Sequence, residues 1–299
     1  MKKRTRSINQ PKFPLHGWIG ILLIAVFWLL NANLEGLRTH WGFFPMWLGY
    51  CLTVDALVFF RKSTSLLTRN WKKYSGLFVV SAPSWWLFEV INQRLQNWVY
   101  LGAEHFSSME YGFWATLSFT TVIPAVFGTA EFIGSFEFLE RLPTGPVISP
   151  DTKTSTRFFI AGWIMVALMM AEPRYFFPFV WLSVYFILEP INIWKGYRSL
   201  AENTARGDWR AIVALWLGVL ITGFFWEMWN YHSYPKWEYH VPFVGFWKVF
   251  EMPILGYLGY LPFAMELHAL YHLIAGLAGN RRTSYVAIIT PGPRAETST

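Results

Sequence analysis

Eight apolar runs set the terms on which this chain can fold. They lie at about 15–32, 43–60, 74–93, 112–139, 158–172, 175–194, 210–231 and 252–279, each bounded by charged or turn-forming residues. A helix needs about 20 apolar residues to cross a bilayer, within a range of roughly 17–25. The first and fifth runs are short for that. The fourth and eighth are long and contain proline, at Pro124 and at Pro253 and Pro262. Only 14% of the residues are charged, against about 25% in ordinary soluble domains. Too little charge is available for a water-facing surface, so the expected fold class is an all-α integral membrane protein with about eight transmembrane helices.

Loop charge orients the spans. With the N-terminus inside, the outside segments hold five of the 25 Lys and Arg residues (Arg38, Arg94, Arg174, Lys236 and Lys248), and the inside segments hold the other 20. That asymmetry follows the positive-inside rule and puts both termini in the cytoplasm. It also accounts for the net charge of +7 without nucleic acid. The expected location is a cell membrane, of the bacterial inner-membrane type. The basic start MKKRTRSINQPKF before Gly17–Leu30 resembles a signal peptide, but the run ends in NANLEG with no small-residue cleavage site, so it is read as a retained first span. The lone cysteine, Cys51, excludes a disulfide framework and a thiolate metal site. The long outside loops, about 94–111 and 232–251, are rich in Trp and Tyr, as suits a membrane-interface belt.

The chain repeats itself. GWI at 17–19 matches GWI at 162–164, and FFP at 43–45 matches FFP at 176–178. Trp47-Leu48 matches Trp181-Leu182, Asp55 matches Glu189, and Arg61 matches Lys195. Glu89, Asn92, Trp98 and Tyr100 match Glu227, Asn230, Trp237 and Tyr239, and Glu131 falls on Glu266. The markers keep their order. The expected organisation is therefore a basic tail and first four-helix unit at 1–140, a polar Pro-rich cytoplasmic linker at 141–157, a second four-helix unit at 158–282 and a polar tail at 283–299. An even number of spans per unit makes the two repeats parallel, and in such architectures sites lie between repeats.

The acids inside these runs need a reason. Each costs about 2.5–3.5 kcal/mol on insertion scales, so it is expected to face the bundle interior with a partner. Spacing of i, i+3 puts Glu89 with Asn92, and Glu227 with Asn230, on one helix face near the outer end. If Pro124 and Pro262 restart helices, proline suits the first turn. Glu131 and Glu266 then lie one or two turns below the outer surface, within reach of the Glu-x-x-Asn level. Asp55 and Glu189 sit deeper, within two turns of Arg61 and Lys195, as interfacial ion pairs. The bland alternative for the asparagines is hydrogen-bonding glue between helices. His268 and His272 with Glu266 offer three ligands from one helix only, which does not make a metal site, and no cofactor motif is present.

Three stretches carry a family likeness: WEMWN at 226–230, PKWEY at 235–239 and GYLGYLPFAME at 256–266. They resemble the membrane-embedded lycopene cyclase family, known as bacterial heterodimers and as a tandem domain in fungal carotenoid enzymes. The likeness covers roughly 226–270 and, more weakly, 86–132. This chain has a single Glu four residues after Pro262 where the family has an acidic pair two residues after proline, and four helices per unit where the family has three. The resemblance implies a redox-neutral reaction without a cofactor. A protonated carboxylic acid gives a proton to the terminal double bond of an acyclic isoprenoid, the ring closes through a carbocation, and a carboxylate removes a proton. It implies Glu266 and Glu227 as acid and base, with Glu89 and Glu131 their counterparts. Asn92, Asn230, Trp226, Trp237 and Tyr239 would line the substrate site, the aromatic faces stabilising the cation. The partner would be a membrane lipid or an isoprenoid-like apolar small molecule. A transporter with a site between the repeats, or a non-catalytic membrane scaffold, would use the same residues. The sequence carries no signal for an oligomeric state.

Overall fold

The computed structural model describes residues 12–289. The basic residues at 2–6 and the end of the polar tail, with Arg294, lie outside the described residues. The chain forms α1 (Leu15–Asn33), α2 (Phe43–Lys62), α3 (Leu66–Arg69), α4 (Trp71–Leu95), β1 (Trp98–Leu101), α5 (Ser108–Phe119), α6 (Val122–Ile133) and α7 (Glu137–Glu140). It continues with α8 (Thr152–Ala171), α9 (Pro173–Phe176), α10 (Val180–Trp194), α11 (Ala201–Thr204), α12 (Arg210–Asn230), β2 (Lys236–Tyr239), β3 (Lys248–Val249), β4 (Met252–Pro253) and α13 (Tyr260–Leu277). The protein is thus a mostly helical, multi-pass membrane protein, and among the described residues six helical segments are long and apolar enough to cross a bilayer.

Two long helices fall outside those six, α4 and α13. Both carry polar side chains: Glu89 and Asn92 on α4, and Glu266, His268 and His272 on α13. Of these, Asn92, Glu266, His268 and His272 are buried and Glu89 is half-buried, so the polarity faces protein rather than lipid. At the opposite extreme, only 17% of the apolar window of α1, and likewise of α8, is covered by protein. These two helices show Trp18, Leu22 and Leu29, and Ile160, Trp163 and Ile164, outward. Helix α1 packs on α2 through Gly20 and Gly49, where a methyl group on either would stand 2.7 Å from the other's carbonyl oxygen. Small residues permit that approach, which is how bilayer helices gain contact without a hydrophobic drive.

The over-long runs break where proline and helix termini dictate. Helix α5 stops at Phe119 and α6 restarts at Val122, with Pro124 in its first turn. A 3₁₀ segment at Ile254–Gly259 leads into α13, with Pro262 in its first turn. Helix α8 starts at Thr152, earlier than its apolarity suggests, because Asp151 caps it by accepting from the Thr154 amide at 2.9 Å.

Asp55 and Glu189 do not make the expected ion pairs. Asp55 accepts from Ser65 Oγ at 2.7 Å and from the Leu67 amide at 2.9 Å, fixing the start of α3. Glu189 accepts from the Ala201 amide at 2.9 Å, at the start of α11. Arg61 turns away to Ser135, donating from Nε to the hydroxyl at 2.5 Å and from the guanidinium to the carbonyl at 3.0 Å. Helix-start amides are unsatisfied donors held close by, and a short acid meets them without extending a long side chain.

The loops are less irregular than their composition suggests. Strands β1 and β2, from loops far apart in sequence, pair antiparallel with Trp98 opposite Tyr239 and Tyr100 opposite Trp237. Strands β3 and β4 form a second short ribbon. These are the departures from an all-α chain.

Candidate functional site

The Glu-x-x-Asn spacing works as a two-part device, and its parts do different things. Asn92, in the last turn of α4, donates from Nδ2 to the Trp98 carbonyl at 2.8 Å and accepts from the amides of Asn97 at 2.9 Å and Trp98 at 3.3 Å. Asn230, at the end of α12, donates to the Trp237 carbonyl at 2.7 Å and accepts from the Trp237 amide at 2.9 Å. Each asparagine satisfies both polar groups of the tryptophan that begins or follows into the strand, so the chain folds back over the helix end. Neither asparagine lines the cavity described below; both hold backbone, a task different from the expected substrate contact.

The glutamates collect the side chains that this turn returns. Glu89 Oε1 accepts from Trp85 Nε1 at 2.8 Å, Trp98 Nε1 at 3.1 Å and the Tyr100 hydroxyl at 2.5 Å. Glu227 Oε1 accepts from the hydroxyls of Tyr239 at 2.8 Å and Tyr260 at 2.6 Å, and Trp237 Nε1 donates to Tyr239 at 3.0 Å. One oxygen of each carboxylate is thereby saturated. Glu227 is fully buried and its Oε2 has no partner among the described residues. Because β1 and β2 pair with each other, the two devices are joined through the ribbon.

Between them lies a cavity of about 520 Å³. Its walls include Trp85, Trp98 and Tyr100 from the Glu89 side, and Trp226, Trp237, Tyr239 and Tyr260 from the Glu227 side. Trp181 and Phe263 close one flank: Trp181 stacks on Trp98 at 5.9 Å, and Phe263 meets Trp85 edge-on at 5.7 Å. The carboxylates stand one residue back from this aromatic wall and communicate with it through tyrosine hydroxyls. The expected Trp226, Trp237 and Tyr239 are therefore at the cavity.

Glu131 and Glu266 are elsewhere. Glu131 accepts from Arg69 at 2.5 Å and from the Ala287 amide at 2.6 Å, at the opposite end of the bundle from the Glu-x-x-Asn level. The reason is length: the 12 residues of α5 advance about 18 Å before α6 begins, so a restart at Val122 lies well inside the bundle and Glu131 lies near its far end. Glu266 is fully buried, with neither carboxylate oxygen bonded among the described residues, and it is not among the cavity's lining residues. The rings of His268 and His272 lie 4.3 Å apart, tilted by 53°, and no cluster of three or more His, Cys, Asp or Glu suited to a metal occurs among the described residues.

Four donors escape the sequence reading as site residues: Trp85, Trp98, Tyr100 and Tyr260. Trp98 and Tyr100 carry a signal, since they match Trp237 and Tyr239 in the duplication. Tyr260 sits inside GYLGYLPFAME, but only the chain path brings its hydroxyl back to Glu227. No known protein family matches the chain, and neither a characterised protein nor a solved structure is similar to it.

Proposed function

We propose that the protein is a membrane-embedded enzyme that cyclises an apolar, isoprenoid-like molecule by redox-neutral proton transfer. The observation that carries this reading is the aromatic cavity with an acid reaching it from each side through tyrosine hydroxyls, Glu227 buried and Glu89 half-buried. Rings are the right lining for a polyene, and their faces stabilise a carbocation with no counter-ion in contact. A carboxyl behind a phenol can pass a proton to a double bond through that phenol. The new ring closes on the neighbouring double bond, and the second carboxylate recovers a proton by the same kind of relay. The sum is an isomerisation, needing neither oxidant nor cofactor. We assign the two proton-transfer roles to Glu227 and Glu89; Glu266 is replaced by Glu89 because no hydrogen bond links Glu266 to the cavity wall.

The same reading extends to architecture. The chain is two tandem, parallel four-helix repeats with eight crossings, both termini cytoplasmic, in a cell membrane. The recurrence of the asparagine clamp at 92 and 230, of the carboxylate–tyrosine node at 89 and 227, and of the short-helix cap at 55 and 189 supports it. An apolar cavity wall favours this enzyme over a carrier of polar solutes, which needs polar groups along its path.

Expression in a bacterial host that accumulates an acyclic carotenoid tests the reading. New cyclic products are expected with the wild type. They should fall by about 10²–10⁴-fold in Glu227→Gln and in Glu89→Gln, as loss of a general acid or base does. Unchanged product in the double variant would remove the assignment. No new product, with the protein present in the membrane, would reject the cyclase and leave binding or transport.

A further inference from the structure

At the end of the molecule away from the aromatic cavity, a cleft of about 690 Å³ opens between the start of α4 and the turn that follows α13. Among the described residues its lining carries four cations, Arg69, Lys73, Arg281 and Arg282, and no acid. Two of them are partly committed: Arg69 to Glu131 at 2.5 Å, and Arg282 to Glu202 at 2.7 Å. Lys73 and Arg281 have no carboxylate within salt-bridge distance among the described residues, and Arg69 Nε is buried without a hydrogen-bond partner. The positive end of the α4 dipole adds to this field, since Asn70 and Lys73 of its first turn form one wall. The opposite wall turns back at Gly279, φ +89°, which brings Arg281 and Arg282 round to face α4.

We propose that this cleft binds a phosphate group, with guanidinium forks supplying the directional contacts and Lys73 a point charge. Like-charged side chains gathered round an open space destabilise the protein unless an anion joins them. The cleft's surroundings favour the headgroup of an anionic phospholipid as the source. Trp71, 64% exposed, follows Asn70 of one wall in the chain, and Leu277, 70% exposed, comes two residues before Gly279 of the other, supplying apolar surface for acyl-chain and interfacial contacts. A basic pocket between spans on the positively charged side of a membrane protein is a recurrent headgroup site. A free phosphate compound would use the same contacts without the flanking apolar residues. The site shares no residue with the aromatic cavity, so it stands or falls apart from the cyclase reading.

The test uses the full chain in nanodiscs of phosphatidylcholine, with and without phosphatidylglycerol. Retained lipid is counted by native mass spectrometry, and thermal unfolding is followed in parallel. Wild type should retain phosphatidylglycerol selectively. Lys73→Gln with Arg281→Gln should weaken retention about 25-fold, at about fivefold per cation. The pair Arg174→Gln with Lys248→Gln, at the other end of the molecule, should leave it unchanged. In pure phosphatidylcholine, added inorganic phosphate or pyrophosphate raising the unfolding temperature of wild type and not of the first pair would identify a free phosphate as the source. Should the first pair fail to fold, wild-type selectivity and its phosphate response still decide. Absence in the wild type of both a preference for phosphatidylglycerol and a response to phosphate overturns the site, as does equal loss in both variant pairs.

Discussion

Asn230 serves one residue twice, holding the amide and the carbonyl of Trp237 at 2.9 and 2.7 Å. Its replacement by Ala leaves both backbone groups unpaired beneath the β1–β2 ribbon. That costs about 1–3 kcal/mol per uncompensated buried group, reduced where water reaches the loop. We expect Asn230→Ala and Asn92→Ala each to lower stability in detergent by about 1–3 kcal/mol. Each should also loosen its own ribbon strand, seen as a change in Trp fluorescence before global unfolding. A variant as stable as wild type would show that β1–β2 pairing alone holds the turn. The identity of this pair was legible in the sequence; its division of labour was not. Helical spacing says that Glu227 and Asn230 share a face, but what meets that face comes from the following loop. Depth was misjudged for the same kind of reason. Glu131 finds Arg69 and Ala287, 62 and 156 positions away, and nothing in its local sequence announces either.

Among the elements, α6 and α12 cross in close backbone contact. A methyl group on Gly218 of α12 would stand 2.8 Å from the Ala130 amide nitrogen and 2.9 Å from its Cα. Backbone cannot swing aside as a side chain can, so the helices must separate. One turn further along α12, Thr222 meets Thr129 at 3.2 Å, and Thr129 meets Tyr50 at 2.9 Å, a polar chain that needs the same separation. Gly218→Ala should therefore cost about 1–3 kcal/mol by overpacking. Gly76→Ala on α4, with open space around its position, should be neutral or slightly stabilising through helix propensity. Comparing the two by thermal unfolding separates the crossing from any general intolerance of larger residues; equal effects would dissolve the distinction. Helix extents were readable from apolar runs and prolines because those are local signals. This crossing was not, because a glycine in an apolar run looks the same whether it faces lipid or a backbone.

At the scale of the molecule, hydropathy and interior polarity give competing span counts. By apolarity alone six segments cross, and α4 and α13 do not. Yet those two helices carry their polar side chains inward, so their low hydropathy is compatible with a bundle interior inside the bilayer. The alternatives differ in sign at particular cations. With eight crossings Arg141 and Arg206 lie on the cytoplasmic side and Arg174 and Lys248 outside. With six, starting from the same side, Arg141 and Arg206 lie outside and Arg174 and Lys248 inside. The six-crossing arrangement also exports Lys153, Arg157, Lys195, Arg198 and Arg210, against the rule that short cytoplasmic loops gather the positive charge. All four test positions are exposed, and the native Cys51 is buried, so single cysteines introduced there report cleanly. In intact cells a membrane-impermeant maleimide should label Arg174→Cys and Lys248→Cys at once, and Arg141→Cys and Arg206→Cys only after permeabilisation. The reverse pattern would reduce the bundle to six crossings. The Glu-x-x-Asn ends of α4 and α12 would then lie together on the cytoplasmic side. The β1–β2 ribbon could still join them, so that pattern would overturn the topology alone and move the shared cavity to the cytoplasmic side.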